Sequence, residues 1–107
     1  MSASFAPSYE PIETQLLDVD LVSFKATVHG ARGPRDLRDA TDCAAAQYAL
    51  IRGYGYARHI RTNLGVEGVV WTADAAYTIS VDLPRGTSTL DAAATVAECN
   101  ARGLPTF

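Results

Sequence analysis

The 107-residue chain has one lysine, one tryptophan, two cysteines and two histidines. No apolar run approaches the roughly 18 residues that a membrane-spanning helix needs. Nine bases against twelve acids give a net charge of −3, and the single lysine leaves no dense cationic footprint of the kind that phosphate backbones reward. Nucleic acid is therefore not expected as a partner. The start, Met1 to Pro7, lacks the basic and apolar stretches of a secretory signal, so the sequence reads as cytosolic or as a mature domain without its leader. The cysteines and histidines show neither CxxC nor HxxxH spacing, so no metal or cofactor is expected. There is no GxSxG elbow, and each histidine falls in an extended stretch without a sequence-local partner, so no catalytic residue is nominated.

Hydrophobic residues make up 48% of the chain, but 18 of them are alanine. Bulky burial must come from nine Leu, eight Val, four Ile and nine aromatic residues, enough for one core and little more. Charge is unevenly spread: residues 1–20 carry four acids and no base, 21–62 seven bases against three acids, and 63–107 five acids against two bases. The arginine-enriched middle can attract a small anion or an acidic surface locally.

Residues 1–11, with Pro7 and Pro11, read as an extended linker, leaving 12–107 as a single domain. A short strand over Ile12–Leu17 and a turn at Asp18-Val19-Asp20 precede a clear alternation in Leu21–His29. There Val22, Phe24, Ala26 and Val28 share one face. Gly30, Gly33 and Pro34 stop that strand. From Arg35 the spacing turns helical, with a stripe of Leu37, Ala40, Ala44, Tyr48 and Ile51 that Gly53 can end in a left-handed cap. Tyr54–Thr62 has strand character, and Asn63–Gly68 reads as a turn. From Val69 to Leu83 every odd-numbered residue is apolar. Fifteen residues is long for one strand, so a bulge or bend is expected near Asp74–Ala76. Ser88 three residues before Asp91 resembles a capping box opening a second helix to about Arg102, closed by Gly103 and Pro105. The order ββαββα implies an α+β, two-layer fold: a mixed sheet of three or four strands with two helices on one face. The strands 21–29 and 54–62 would then be parallel through a right-handed crossover.

Cys43 and Cys99 each flank the apolar arc of a helix. A disulfide, two buried free thiols and a metal pair are the three readings, and the disulfide is the one adopted. Closing a loop of roughly 56 residues would stabilise by about 4 kcal/mol and place the chain in an oxidising compartment. Gly30–Arg35 joins a strand to a helix N-terminus, where backbone N–H groups can hold an anion, but its spacing fits no phosphate-binding motif and a simple turn is the plainer reading. Arg52, Tyr56, Arg58, His59 and Arg61 form the densest group of planar donors and aromatics, the composition enriched at binding surfaces. The competing reading is a strand edge kept soluble by its charges. Trp71 is assigned to the core.

The stretch Val22-Ser23-Phe24-Lys25-Ala26-Thr27-Val28-His29-Gly30, followed by Asp42-Cys43-Ala44-Ala45-Ala46-Gln47-Tyr48-Ala49-Leu50-Ile51-Arg52-Gly53-Tyr54, resembles a group of small alpha-proteobacterial envelope lipoproteins of uncharacterised function. The resemblance extends over residues 9–83. It implies export, a lipid anchor on an upstream cysteine, and a periplasmic domain on a short tether; it carries over no catalytic residue. Two functions are then weighed. The first is a non-enzymatic envelope domain binding a protein or cell-wall component through the Arg52–Arg61 group, with membrane contact only through the anchor. The second is a small-ligand binder or enzyme with a pocket between sheet and helices near Trp71 and Tyr77. A homodimer through the edge of the 69–83 strand is a further expectation.

Overall fold

In a computed structural model, which describes residues 7–86 and 88–104, the alternating stretch Leu21–His29 is a nine-residue strand with Val22, Phe24, Ala26 and Val28 all buried. The described elements run β1 (Ser8–Tyr9), β2 (Glu13–Leu16), β3 (Leu21–His29), α1 (Pro34–Ile51), β4 (Tyr56–Glu67), β5 (Val70–Ser80), β6 (Thr89–Asp91) and α2 (Ala92–Ala101). The expected closure at Pro105 and the first six residues of the expected linker lie outside the described residues. The rest of that stretch contributes β1, whose Ser8 and Tyr9 pair with His29 and Val28.

The expected mixed sheet of three or four strands is corrected. The strands form one curled antiparallel sheet in the order β1-β3-β5-β4-β6, with β2 also on β3. β3 and β4 do point the same way, as the crossover through α1 requires, but they are not neighbours. The β4–β5 hairpin folds back and inserts β5 between them, so every pairing is antiparallel. β5 is therefore central, and the free edge expected for it belongs to β4. The expected turn at Asn63–Gly68 is mostly strand. β4 runs on to Glu67, and the hairpin turns at Gly68 and Val69, with Gly68 at φ 61° in the first central position, where the twist of paired strands favours glycine. The bulge lies across from its expected place: register shifts between His59 and Arg61, so Ile60 is the extra residue, facing Ala76 and Tyr77.

α1 starts with Pro34 and ends in a Schellman motif. Gly53 sits at φ 83°, its N–H bonds Leu50 O, and Tyr54 N–H bonds Ala49 O. Its buried face is mostly alanine, which lets the helix lie close to aromatics on the sheet. Phe24 meets the rings of Tyr77 and Tyr48 edge to face at 5.7 and 5.9 Å. A second cluster gathers Ala26, Val28, Leu37, Ala40 and Ala73, with Tyr9 and Trp71 packed against it, so Trp71 belongs to the core margin. α2 starts later than expected because Thr89–Asp91 pairs with β4. Asp91 itself is the N-cap, accepting from Ala94 N at 3.0 Å. Only Ala92 and Cys99 of α2 are buried, and the helix lies mainly along α1.

Candidate functional site

The five residues expected to form one surface divide three ways. Cross-strand pairing sets Tyr56 opposite Ser80, Arg58 opposite Thr78 and Arg61 opposite Ala76, all on the sheet face away from α1. The bulge at Ile60 keeps Arg61 on this face, because the extra residue restores the side that strict alternation would have reversed. Arg58 is half-buried. A Cβ on Gly86, which sits at φ 109°, would lie 2.8 Å from its guanidinium, so the 81–86 segment folds over this arginine. Arg61 is exposed, and Lys25 lies across the sheet beside Asp74. Arg52 stands apart at the C-cap of α1, its guanidinium 5.5 Å above the ring of Tyr48 one helical turn back.

His59 faces the other way, into the helix-covered side, opposite Tyr77 and edge to face with its ring at 5.3 Å. Here lies a polar group that sequence reasoning missed. The Tyr77 hydroxyl is fully buried and donates to Asp42 Oδ1; Arg38 Nε donates to the same oxygen at 2.8 Å. Thr41 Oγ1 lies 3.0 Å from the Tyr77 hydroxyl and 3.2 Å from Arg38 O. His59 Nε2 meets Thr62 Oγ1. Burial raises the Tyr77 phenol pKa well above 10, and the Asp42 charge adds to it, so Tyr77 is a fixed donor. Burial, helped by Arg38, lowers His59 below the usual 6.5, against a smaller opposing pull from Asp42. The arrangement ties α1 to β5 and β4; it places no free base against a free nucleophile among the described residues. Its signal was legible in part: Arg38 and Asp42 stand at i,i+4 on one helix.

The Gly30–Arg35 loop is occupied by the chain itself. Arg32 gives its backbone N–H to Asp36 at 2.8 Å and its guanidinium at 3.0 and 3.2 Å, and these bonds hold the Asp36 carboxyl below the usual carboxylate range. Asp36 thus occupies Arg32 and sets a negative charge in the first turn of α1, which would repel an external anion there.

Cys43 and Cys99 are joined by a disulfide that staples α2 to α1. Three open clefts stand out: ≈ 420 Å³ at the tip of the β4–β5 hairpin beside Gly65, Glu67 and Thr72; ≈ 180 Å³ in the α1–α2 groove beside Asp39 and Glu98; and ≈ 320 Å³ on the outer face beside Glu13, Lys25 and Asp74. None of the three lies between sheet and helices. There Tyr77 is wholly buried and the space is filled by Phe24, Ala45, Ala46 and Ala49.

Fold, staple and polar group together define a small disulfide-linked α+β domain with one sheet face left open by the helices. The chain belongs to the YNQ4 C-terminal domain family, whose profile matches residues 9–103. It is 36% identical over 63 residues to an uncharacterised 26.9 kDa protein in the nqo8 5′ region of the alpha-proteobacterium Paracoccus denitrificans. That match covers 59% of this chain but only a quarter of the relative's length. No solved structure matches the chain.

Proposed function

We propose that this chain is the non-enzymatic binding domain of an exported bacterial envelope protein, docking an acidic protein or cell-wall component through Tyr56, Arg58 and Arg61. The supporting observation is the Cys43–Cys99 disulfide, because such bonds persist in oxidising compartments and are rare in the reducing cytosol. In this reading the domain is periplasmic, held near a membrane by a lipid anchor elsewhere in the native protein. The open face suits docking: Tyr56 offers a flat amphipathic ring, while Arg58 is pre-oriented beneath Gly86 and loses little freedom when it binds. Both arginines are planar bidentate donors matched to carboxylates.

Compartment and face are tested separately. Native cells are fractionated, then free thiols are alkylated before and after reduction. The reading expects Cys43 and Cys99 to resist alkylation until reduced, and the chain to appear in the periplasmic or membrane fraction; alkylated cysteines in the cytosolic fraction overturn it. Replacing Arg58 and Arg61 together with Ala should abolish capture of carboxylate-rich envelope material by the immobilised domain. An unchanged set of captured components removes these residues from the docking surface.

A further inference from the structure

Both sheet edges are blunted except along one stretch. On the far side the edge strands β1 and β2 are only two and four residues long. On the near side β6 covers β4 from Tyr56 to Arg58, and Ser88 O takes the N–H of His59. From Arg61 to Glu67 β4 pairs with β5 on one side and with no strand on the other among the described residues. This stretch has no proline and no lysine, its bulge lies before it at Ile60, and its two charges, Arg61 and Glu67, stand at its ends with opposite signs. It also exposes large apolar side chains, Leu64 at 48% and Val66 at 55%.

We propose that this edge pairs with the same edge of a second copy, antiparallel and across a two-fold axis at Leu64, so that one sheet runs through the dimer. The register follows from charge. With Leu64 opposite its own copy, Arg61 falls opposite the partner copy's Glu67, Asn63 opposite Gly65, and Thr62 opposite Val66. Residues of like parity meet, so each face matches itself: the Leu64 pair and the two Val66–Thr62 pairs share one face, and the two Arg61–Glu67 contacts close the other face at both ends. Moving the axis one residue to Asn63 sets Glu67 against His59, and moving it to Gly65 sets Glu67 against Asn63. Only the Leu64-centred register of the three brings opposite charges together. Arg61 and Glu67 are both exposed and carry no ion pair among the described residues, so each is available for this contact. The inference shares Arg61 with the docking face proposed above but does not rest on that reading.

Sedimentation equilibrium of the oxidised chain tests it. The expected mass rises with concentration from 11.4 kDa to twice that value. R61E or E67R alone turns two attractive contacts into two repulsive ones and should weaken the dimer by about tenfold or more. The double variant R61E/E67R should restore it, a rescue that loss of the docking face cannot mimic. Leu64→Cys supplies a check independent of charge: its two copies lie on the axis, within the Cα separation a disulfide tolerates, and should cross-link on mild oxidation, while Lys25→Cys should not. A chain that stays at 11.4 kDa throughout, a charge swap that fails to rescue, or equal cross-linking at both positions overturns the proposal.

Discussion

Tyr77 heads the fully buried side chains by size, yet it ends in a hydroxyl, which must be bonded where it lies. Asp42 and Thr41 meet that need, and Arg38 neutralises Asp42. Removing the hydroxyl in Tyr77→Phe leaves Asp42 with Arg38 and Thr41 with a backbone carbonyl, so the loss should be about 1 kcal/mol. Asp42→Ala strands the phenol with Thr41 alone and should cost roughly 1–3 kcal/mol. Tyr77→Ala also opens a cavity beside Phe24 and should cost roughly 3–5 kcal/mol. Urea midpoints at unchanged slope check this ranking. His59 adds a pH dependence. Its folded pKa lies below the unfolded 6.5, so the unfolded chain binds the extra proton more readily. The neutral ring's contribution is fully present above 6.5 and is lost as pH falls from there through the folded value. Urea midpoints should therefore drop between about pH 7 and pH 5, and His59→Gln should flatten that drop. Asp36, whose folded pKa is lowered, loses its contribution only below about pH 4, outside this window.

Elements show which parts of the fold could be read from the chain. β3 ends where its alternation ends, and α1 stops at the glycine read as its cap, because local chemistry sets both. The turn assigned to Asn63–Gly68 failed because Asn63 and Gly65 carry turn composition while sitting in an exposed strand end, where burial imposes no pattern. Strand order was not legible either. Nothing local to 21–29 or 54–62 records that a third strand will come between them, since that depends on how the later hairpin folds back. The length of Val69–Leu83 calls for a bulge or bend there, but the extra residue lies in the partner strand β4, within Tyr54–Thr62. Arg58 and Ile60 share parity in sequence, yet only Ile60 is the inserted residue. Deleting Ile60 should therefore keep every other β4 residue on its own face and cost less than about 2 kcal/mol. Deleting the fully buried Ala57 draws a neighbour such as Arg58 into the core row and should prevent folding. Circular dichroism and urea titration of the two deletions separate them; equal losses would show that Ile60 is not the inserted residue.

At the scale of the whole molecule, the balance between a core rich in alanine and the entropy of 107 residues makes the staple a large share of stability. A domain this size is stable by about 5–15 kcal/mol, and closing the 56-residue separation between Cys43 and Cys99 supplies about 4 kcal/mol of that in the chain-entropy model. α2 depends on it most. Besides the disulfide it has Ala92 buried at one end, Val96 packed at the margin of the core and, next to its last turn, an exposed Arg102–Asp39 ion pair that solvent screens. The double variant Cys43→Ala/Cys99→Ala should melt roughly 15–30 °C below the oxidised protein. Amide exchange should speed most across residues 92–101, while the β3–β5 core keeps its protection relative to global unfolding. The parent chain in excess reductant should reproduce both effects. A melting temperature that reductant leaves unmoved would mean that the two helices hold together without the bond, and the main support for an exported role would go with it.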